Sequence, residues 1–367
     1  MSGRCYGYNL NMLTAIDLFS GCGGLTLGLK QAGFAVIAAI EVDQLAAEAY
    51  RLNHPEVKLL EDDIRRVRPY SLMKQLGMRS GQLSLLAGCP PCQGFSSLRT
   101  LNGARRTDDD RNDLLFQFIR FVRAFRPKAV MMENVPGLAK DERFSRFCDQ
   151  LMQLGYKNGK QAILDAADYG VPQRRKRLVI IAIRGKQVQF AAPIRPTKTV
   201  RDAIGGLPAP GTTGDELHII VSKHSIRIQK LIELIPKDGG SRVDLPEEYW
   251  LACHKLNRGF YDVYGRMAWD SPAPTITGGC FNPSRGRFLH PQDDRAITLR
   301  EAALLQGFPS EYKFPVRGSV AGIGLLIGNA LPPALVQAQA RGIAEKLVSL
   351  PLQGRKSDAR FSAQPSA

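Results

Sequence analysis

Leu13–Gly33, LTAIDLFSGCGGLTLGLKQAG, decides how the rest of the chain is read. LTAIDLF is an apolar run interrupted by a single acid, Asp17, and has the length of a buried strand. A glycine cluster, Gly21, Gly23 and Gly24, follows directly. LTLGLKQAG then has helical spacing and closes on Gly33. The alternation continues outward from this stretch. Strands are predicted at 36–43, 57–63, 83–88, 128–135 and 177–183. Helices are predicted over DQLAAEAYRL, with Asp43 as N-cap, over 112–125, and over DERFSRFCDQLMQLG. Strands alternating with helices predict an α/β, doubly wound, mostly parallel sheet.

The pattern breaks after about residue 185. Residues 190–292 are rich in Pro and Gly, with short mixed segments, and read as a smaller domain of irregular or β character. Helical spacing returns at 298–308 and 332–350. The expected organisation is a main domain at 12–189, a second region at 190–292, a segment at 293–352 returning to the first, and a polar, disordered tail at 353–367.

The chain has 367 residues, 44% of them hydrophobic, enough for a large core. Seven cysteines without a dense cluster do not make a disulfide scaffold. No signal-type stretch precedes the first strand, and no unbroken apolar run approaches the ~18 residues of a membrane span. A cytoplasmic, reducing setting is expected, where a cysteine can act as a thiolate. Fifty Lys and Arg against 34 Asp and Glu leave a formal charge of +16, which favours a polyanionic partner, nucleic acid first. Residues 173–202 carry nine Arg or Lys and one acid, Asp202.

In doubly wound sheets, ligands sit at the carboxyl ends of the strands. After the first strand, Gly21 and Gly23 allow close backbone approach to a ligand. The second strand ends in Glu41, which suits two ribose hydroxyls. The dinucleotide fingerprint fails, because Thr26 holds its third glycine position. A nucleoside without phosphates, such as S-adenosylmethionine, needs only the tight loop and the acid. Asp63 ends the third strand, where a carboxylate can meet an adenine amino group. The glycine loop alone fits many structural turns; with Glu41 and Asp63 it favours a cofactor site.

The fourth strand ends in GCPPCQGFSS, residues 88–97. Zinc needs four ligands, and the other cysteines and the five histidines (54, 218, 224, 254 and 290) lack the spacing of a second half-site. No metal is expected. A redox dithiol belongs at a helix N-terminus, which Gly94-Phe95-Ser96 does not suggest. Cys92 is better placed as a nucleophile at the mouth of the sheet, with Cys89 a small core residue. Glu133 ends the fifth strand, where a carboxylate can bind or protonate a ring nitrogen. Arg175 and Arg177 enter the next strand with side chains on one face.

The blocks DLFSGCGG (17–24), EDDI (61–64), GCPPCQGFS (88–96), ENVPG (133–137), QRRKR (173–177), RAITLREAALLQGFP (295–309) and GNALPP (328–333) together resemble the cytosine-5 DNA methyltransferases of bacterial type, in that family's order. The resemblance implies a Rossmann-like methyltransferase sheet and a target-recognition region at 190–292. It implies S-adenosyl-L-methionine as cofactor, S-adenosyl-L-homocysteine as product, and double-stranded DNA as partner. Cys92 resembles the nucleophile that adds to cytosine carbon 6. Glu133 resembles the residue at ring nitrogen 3, and Arg175 and Arg177 those holding the site and the base carbonyl. Around the cofactor, Phe19 resembles the adenine-stacking ring, Glu41 the ribose acid, and Asp63 with Ile64 the adenine contacts. Asp17, Leu18, Gly21 and Gly23 belong to the same block, and Pro91, Asn329 and Ala330 match positions closing over the cofactor.

The family flips its target base out of the duplex. Arg99, Arg105 and Arg106 lie in a stretch, 93–111, that resembles its DNA-closing loop. Thr275 resembles a residue near the target phosphate, and Arg285 and Arg287 are candidate phosphate or guanine contacts. The tRNA-modifying branch of the family shares the catalytic blocks. Its Cys-Phe-Thr is not matched, although Cys280-Phe281-Asn282 comes close. A monomer acting in the cytoplasm at the nucleoid is expected, with a cognate restriction endonuclease acting separately.

Overall fold

Both faces of the central strands are apolar, so layers must cover the sheet on two sides. The computed structural model describes residues 12–91, 114–219, 222–251 and 262–349. Among them a seven-stranded sheet has the order β3-β2-β1-β4-β5-β7-β6. Its strands are β1 (Thr14–Leu18), β2 (Ala35–Glu41), β3 (Lys58–Glu61), β4 (Leu85–Gly88), β5 (Ala129–Asn134), β6 (Lys160–Asp165) and β7 (Lys176–Ile183). β3, β2, β1, β4 and β5 run parallel. The chain winds from β1 outward through β2 and β3, then crosses to β4 on the other side of β1. That reversal between β1 and β4 is the crevice where such folds bind ligands.

One face of the sheet is covered by α3 (Pro69–Gln75), α4 (Leu114–Phe125) and α5 (Glu142–Gln153), through Leu72, Phe118, Phe125 and Phe147. The other is covered by α1 (Gly24–Gln31) and α11 (Pro333–Val348), through Leu25, Leu29, Leu335 and Val336. α2 (Gln44–Asn53) contributes Tyr50 to this second face. β7 shows why it reads as a continuous apolar run: Leu178, Ile180 and Ala182 enter the first core, while Val179, Ile181 and Ile183 enter the second.

Two features depart from the expected pattern. β7 is antiparallel to both β5 and β6. β6 itself was not expected from the sequence: KQAILD is an edge strand with no fully buried residue, so it lacks the apolar run that marks a strand. The antiparallel direction matters for the site. In a parallel strand the entry lies at the amino edge of the sheet, but here Gln173–Arg177 enters beside the carboxyl end of β5.

Among the described residues of 190–292 there are short helices, α6 (Val200–Ile204), α7 (Glu216–Ile219) and α8 (Ile226–Leu234), and only isolated bridges in place of strands. Of the two characters expected for this region, irregular is the one observed. Buried Arg266 organises it, donating to the carbonyls of Ile232, Ile235, His290 and Asp293. α9 (Leu299–Leu305) and α10 (Val320–Asn329) join it to the sheet through a third core containing Cys22, Ile276, Leu305 and Ile327. Residues 320–348 are apolar enough to pass for a membrane span, yet they are two helices broken at Ala330-Leu331-Pro332 and largely buried in the cores just described.

Candidate active site

The residues after β1 turn sharply. Phe19 has φ +61°, a conformation costly for a non-glycine residue and characteristic of functional loops. Gly23 follows at φ +97° and is boxed in, since a Cβ there would lie 2.6 Å from His54 and 2.7 Å from the Tyr312 hydroxyl. Those two side chains hold the loop from behind. Tyr312 donates to Cys22 O at 2.5 Å, and His54 Nε2 lies 3.3 Å from Gly23 O and 3.2 Å from the Tyr312 oxygen.

Glu41 anchors the front of the same loop. It accepts from Gly21 N at 2.7 Å, Val42 N at 2.9 Å and Asp43 N at 2.8 Å. Burial raises its pKa, and these three amides oppose the rise. Asp17 is fully buried and pushed up to about 8 by that burial. Its Oδ2 accepts from Thr26 at 2.7 Å, while Oδ1 has no partner among the described residues. Asp63 behaves oppositely: the Arg65 guanidinium, 2.6 Å away, lowers its pKa and keeps it ionised.

A second cluster lies at the ends of β4 and β5. Asn134 Nδ2 donates to Pro90 O at 2.8 Å, and Cys89 N to Leu18 O at 3.2 Å, fixing the turn that leads to Cys92. Arg177 Nε lies 2.7 Å from Glu133 Oε1, with both side chains largely buried. Burial, reinforced by Glu133, pushes the Cys89 thiol well up, so Cys89 remains a thiol. Arg175 donates to Ile276 O at 2.9 Å and Gly328 O at 2.8 Å, leaving its buried Nε unpartnered among the described residues. Burial and the neighbouring Arg177 push it down to about 9, so it is charged at neutral pH.

Arg175 therefore pins the 190–292 region and α10 to the carboxyl edge of the sheet. Gln173 reinforces the joint, accepting from Ile276 N at 2.8 Å and donating to Leu305 O at 3.3 Å. The packing here admits only glycine at 328, where a Cβ would fall 2.2 Å from the Thr277 carbonyl carbon. Ala330 is packed behind the glycine loop, and Gln306 Nε2 donates to its carbonyl; Asn329 is exposed beside it. The C-terminal segment thus meets Gly24 and Cys22 directly.

The structure brings Asp17, Leu18, Phe19, Gly21, Gly23, Glu41, Pro91, Glu133, Arg175, Arg177, Asn329 and Ala330 to the carboxyl edge of the sheet or against the loops there. Asp63 and Ile64 follow β3 on the same edge. Cys92, Arg99, Arg105 and Arg106 lie outside the described residues. Thr275 donates its hydroxyl to Arg174 O at 2.8 Å. Arg285 is exposed. Arg287 is half-buried, with Nη1 bonded to the carbonyls of Gly239 and Arg266 at 2.8 and 2.9 Å, so it braces the 190–292 region from within. His54, Tyr312 and Gln173 support the site without having been singled out. No local pattern marks the first two, because His54 and Tyr312 meet across 258 positions.

His54 yields a testable consequence. Burial first, and Lys30 next, push it down to about 4. The unfolded chain takes up this proton below about pH 6.5, but the folded chain does not. Stability therefore falls as pH drops from about 6.5 towards 4. In urea melts across this range, His54→Gln is expected to remove an acid-side loss on the order of 3 kcal/mol. An unchanged difference between variant and parent at all pH values would refute a neutral buried His54.

The donor set suits an adenosyl sulfonium. Two carboxylates, Glu41 and Asp63, can take hydroxyl and amine donors, and Phe19 offers a ring face. At Gly21 a Cβ would meet no atom within 4 Å, so the loop leaves open space beside its backbone. The family profile of the C-5 cytosine-specific DNA methylases matches residues 13–345. The Type II methylase M.HgiDII of Herpetosiphon aurantiacus is 38% identical over 349 residues, covering 91% of this chain and 96% of that protein. The Type II methyltransferase M1.HphI of Haemophilus parahaemolyticus is 34% identical, covering 90% and 86%. Among solved structures, a candidate DNA modification methyltransferase encoded within an Escherichia coli prophage superposes with a TM-score of 0.69 at 26% identity, covering 91% of this chain and 99% of that one. The S. pombe Dnmt2 methyltransferase shares the fold, with a TM-score of 0.59 at 18% identity and coverage of 92% and 99%. The match over nearly the whole length, on a sheet whose carboxyl edge carries both clusters, makes this chain a member of the C-5 cytosine-specific DNA methylase family, an enzyme that transfers the methyl group of S-adenosylmethionine to carbon 5 of cytosine in DNA.

Proposed function

We propose that the enzyme methylates one cytosine within a specific duplex sequence, through a covalent bond between Cys92 and a flipped-out base. The observation that carries this reading is the meeting of the β4 turn, Glu133 and the two arginines beside the glycine loop. The Cys92 thiolate forms a bond to carbon 6, and the ring's electron pair moves towards carbon 5. Glu133 delivers a proton to ring nitrogen 3, which prevents negative charge from building on the ring. Arg177 orients Glu133 through their ion pair, and Arg175 supplies fixed positive charge. The cofactor supplies an electrophilic methyl group. Carbon 5 takes it and S-adenosylhomocysteine is left behind; a base then removes the carbon 5 proton, and the carbon–sulfur bond breaks to return the thiolate as ring nitrogen 3 gives its proton back to Glu133.

Residues 190–292 read the DNA word, with exposed Arg285 and the arginines of 93–111 on the duplex. The protein acts in the cytoplasm at the nucleoid, as a monomer. The Type II names of its relatives support pairing with a separate restriction endonuclease. The test is transfer of labelled methyl groups to duplex DNA and to tRNA, with bisulfite sequencing of DNA from expressing cells. Methylation at one recurring sequence is expected. Label only in tRNA, or DNA methylation without a common sequence, would overturn the reading.

A further inference from the structure

We infer that Arg120, on α4, is the positioning residue of the loop that recognises adenine, and so sets the enzyme's preference for an adenine-bearing cofactor. This rests on the reading of Asp63 and Ile64 as the adenine contacts. The loop between β3 and α3 forms one loose turn, in which Arg66 N and Val67 N both donate to Asp63 O, at 2.8 and 3.3 Å. Nothing in that turn holds the carbonyls of Ile64, Arg65 and Val67. One guanidinium does: Arg120 donates from Nη2 to Ile64 O and, at 3.0 Å, to Val67 O, and from Nη1 to Arg65 O at 3.2 Å.

The consequence passes through a single peptide plane. In a trans peptide the carbonyl and the following N–H point in opposite directions. With the Ile64 carbonyl held on Arg120, the Arg65 N–H is turned the other way, and it donates to Asp63 Oδ1 at 2.9 Å. The Asp63 carboxylate, gripped by the Arg65 guanidinium at both oxygens, is thereby also held at Oδ1 by a backbone donor whose direction Arg120 sets. Ile64, buried in the core next to Arg120's helix, moves with the same plane. Arg120 touches no reacting atom; it acts through Asp63 and Ile64.

The experiment uses the full chain without DNA. Calorimetry compares S-adenosyl-L-homocysteine with its hypoxanthine analogue, S-inosyl-L-homocysteine, which presents a carbonyl where adenine presents an amine. The parent enzyme is expected to favour the adenine form by about tenfold or more, as polar sites reject a mismatched partner. Arg120→Met keeps the packing stem and removes the donors. It is expected to weaken the adenine form about tenfold and bring the preference close to one. Arg120→Lys keeps one cationic donor and should recover part of both; it carries the same test if the Met variant does not fold. Variants that keep the parent's preference and affinity, whatever their melting temperature, make Arg120 a structural brace and overturn the inference. A parent enzyme without preference overturns the adenine role of Asp63 itself, so the two failures are distinct.

Discussion

Cys92→Ala is expected to abolish methyl transfer, by at least about 10⁴-fold in kcat, while cofactor affinity stays within about threefold of the parent. Without a thiolate no bond forms at carbon 6, and carbon 5 of cytosine is too weak a nucleophile to take a methyl group. The proposed cofactor partners, Glu41, Gly21 and Asp63, sit at other strand ends and are untouched by the substitution. Cys89→Ala is the matched control. Its thiol is held protonated by burial and by Glu133, so its loss removes packing at the end of β4. A cost of about 1 kcal/mol in stability, with activity retained, is expected. Equal loss of activity in the two variants would instead indicate a dithiol acting as a unit. Measuring single-turnover transfer together with cofactor binding separates these outcomes.

Glu133→Gln is the second large effect. A carboxylic acid can pass a proton to ring nitrogen 3 and an amide cannot, so kcat should fall by about 10²–10⁴-fold. The amide keeps the size of the side chain and an oxygen for Arg177 Nε, now 2.7 Å from Glu133 Oε1. The fold is therefore expected to survive, although the buried guanidinium loses its counter-charge. The rate loss should appear in the chemical step with little change in the KM for cofactor. A variant with normal kcat would remove Glu133 from the reaction and leave it as the partner of Arg177 alone.

The parts of this site that were legible in the sequence are those marked by strand ends. Glu41, Asp63 and Glu133 each follow an apolar run, and a polar residue there has a defined place in a doubly wound sheet. Strand direction is different, because periodicity reports burial and carries no sense of up or down. QRRKR could be read as a functional block, yet only the antiparallel pairing of β7 explains why it lies beside Glu133. β6 escaped because an edge strand with half-exposed residues has no apolar signature. Arg287 shows a further limit: a basic residue in a Gly-rich stretch suggests a polyanion contact, whereas here its Nη1 is engaged by the carbonyls of Gly239 and Arg266 and its Nε faces Asp262. Long-range joints such as Arg175 to Gly328, or Tyr312 to Cys22, depend on how segments fold back, which no local pattern encodes.

The central claim, a covalent bond between Cys92 and cytosine, is tested most directly by trapping it. A duplex carrying 5-fluorocytosine at the methylated position allows attack at carbon 6 and methyl transfer, but fluorine cannot leave as a proton does, so the enzyme cannot let go. Incubation with this duplex and S-adenosylmethionine should give an enzyme–DNA species stable to denaturation, with the cross-linked peptide mapping to Cys92 and no such species from Cys92→Ala. Active enzyme that yields no adduct, or an adduct on Cys89, would contradict it.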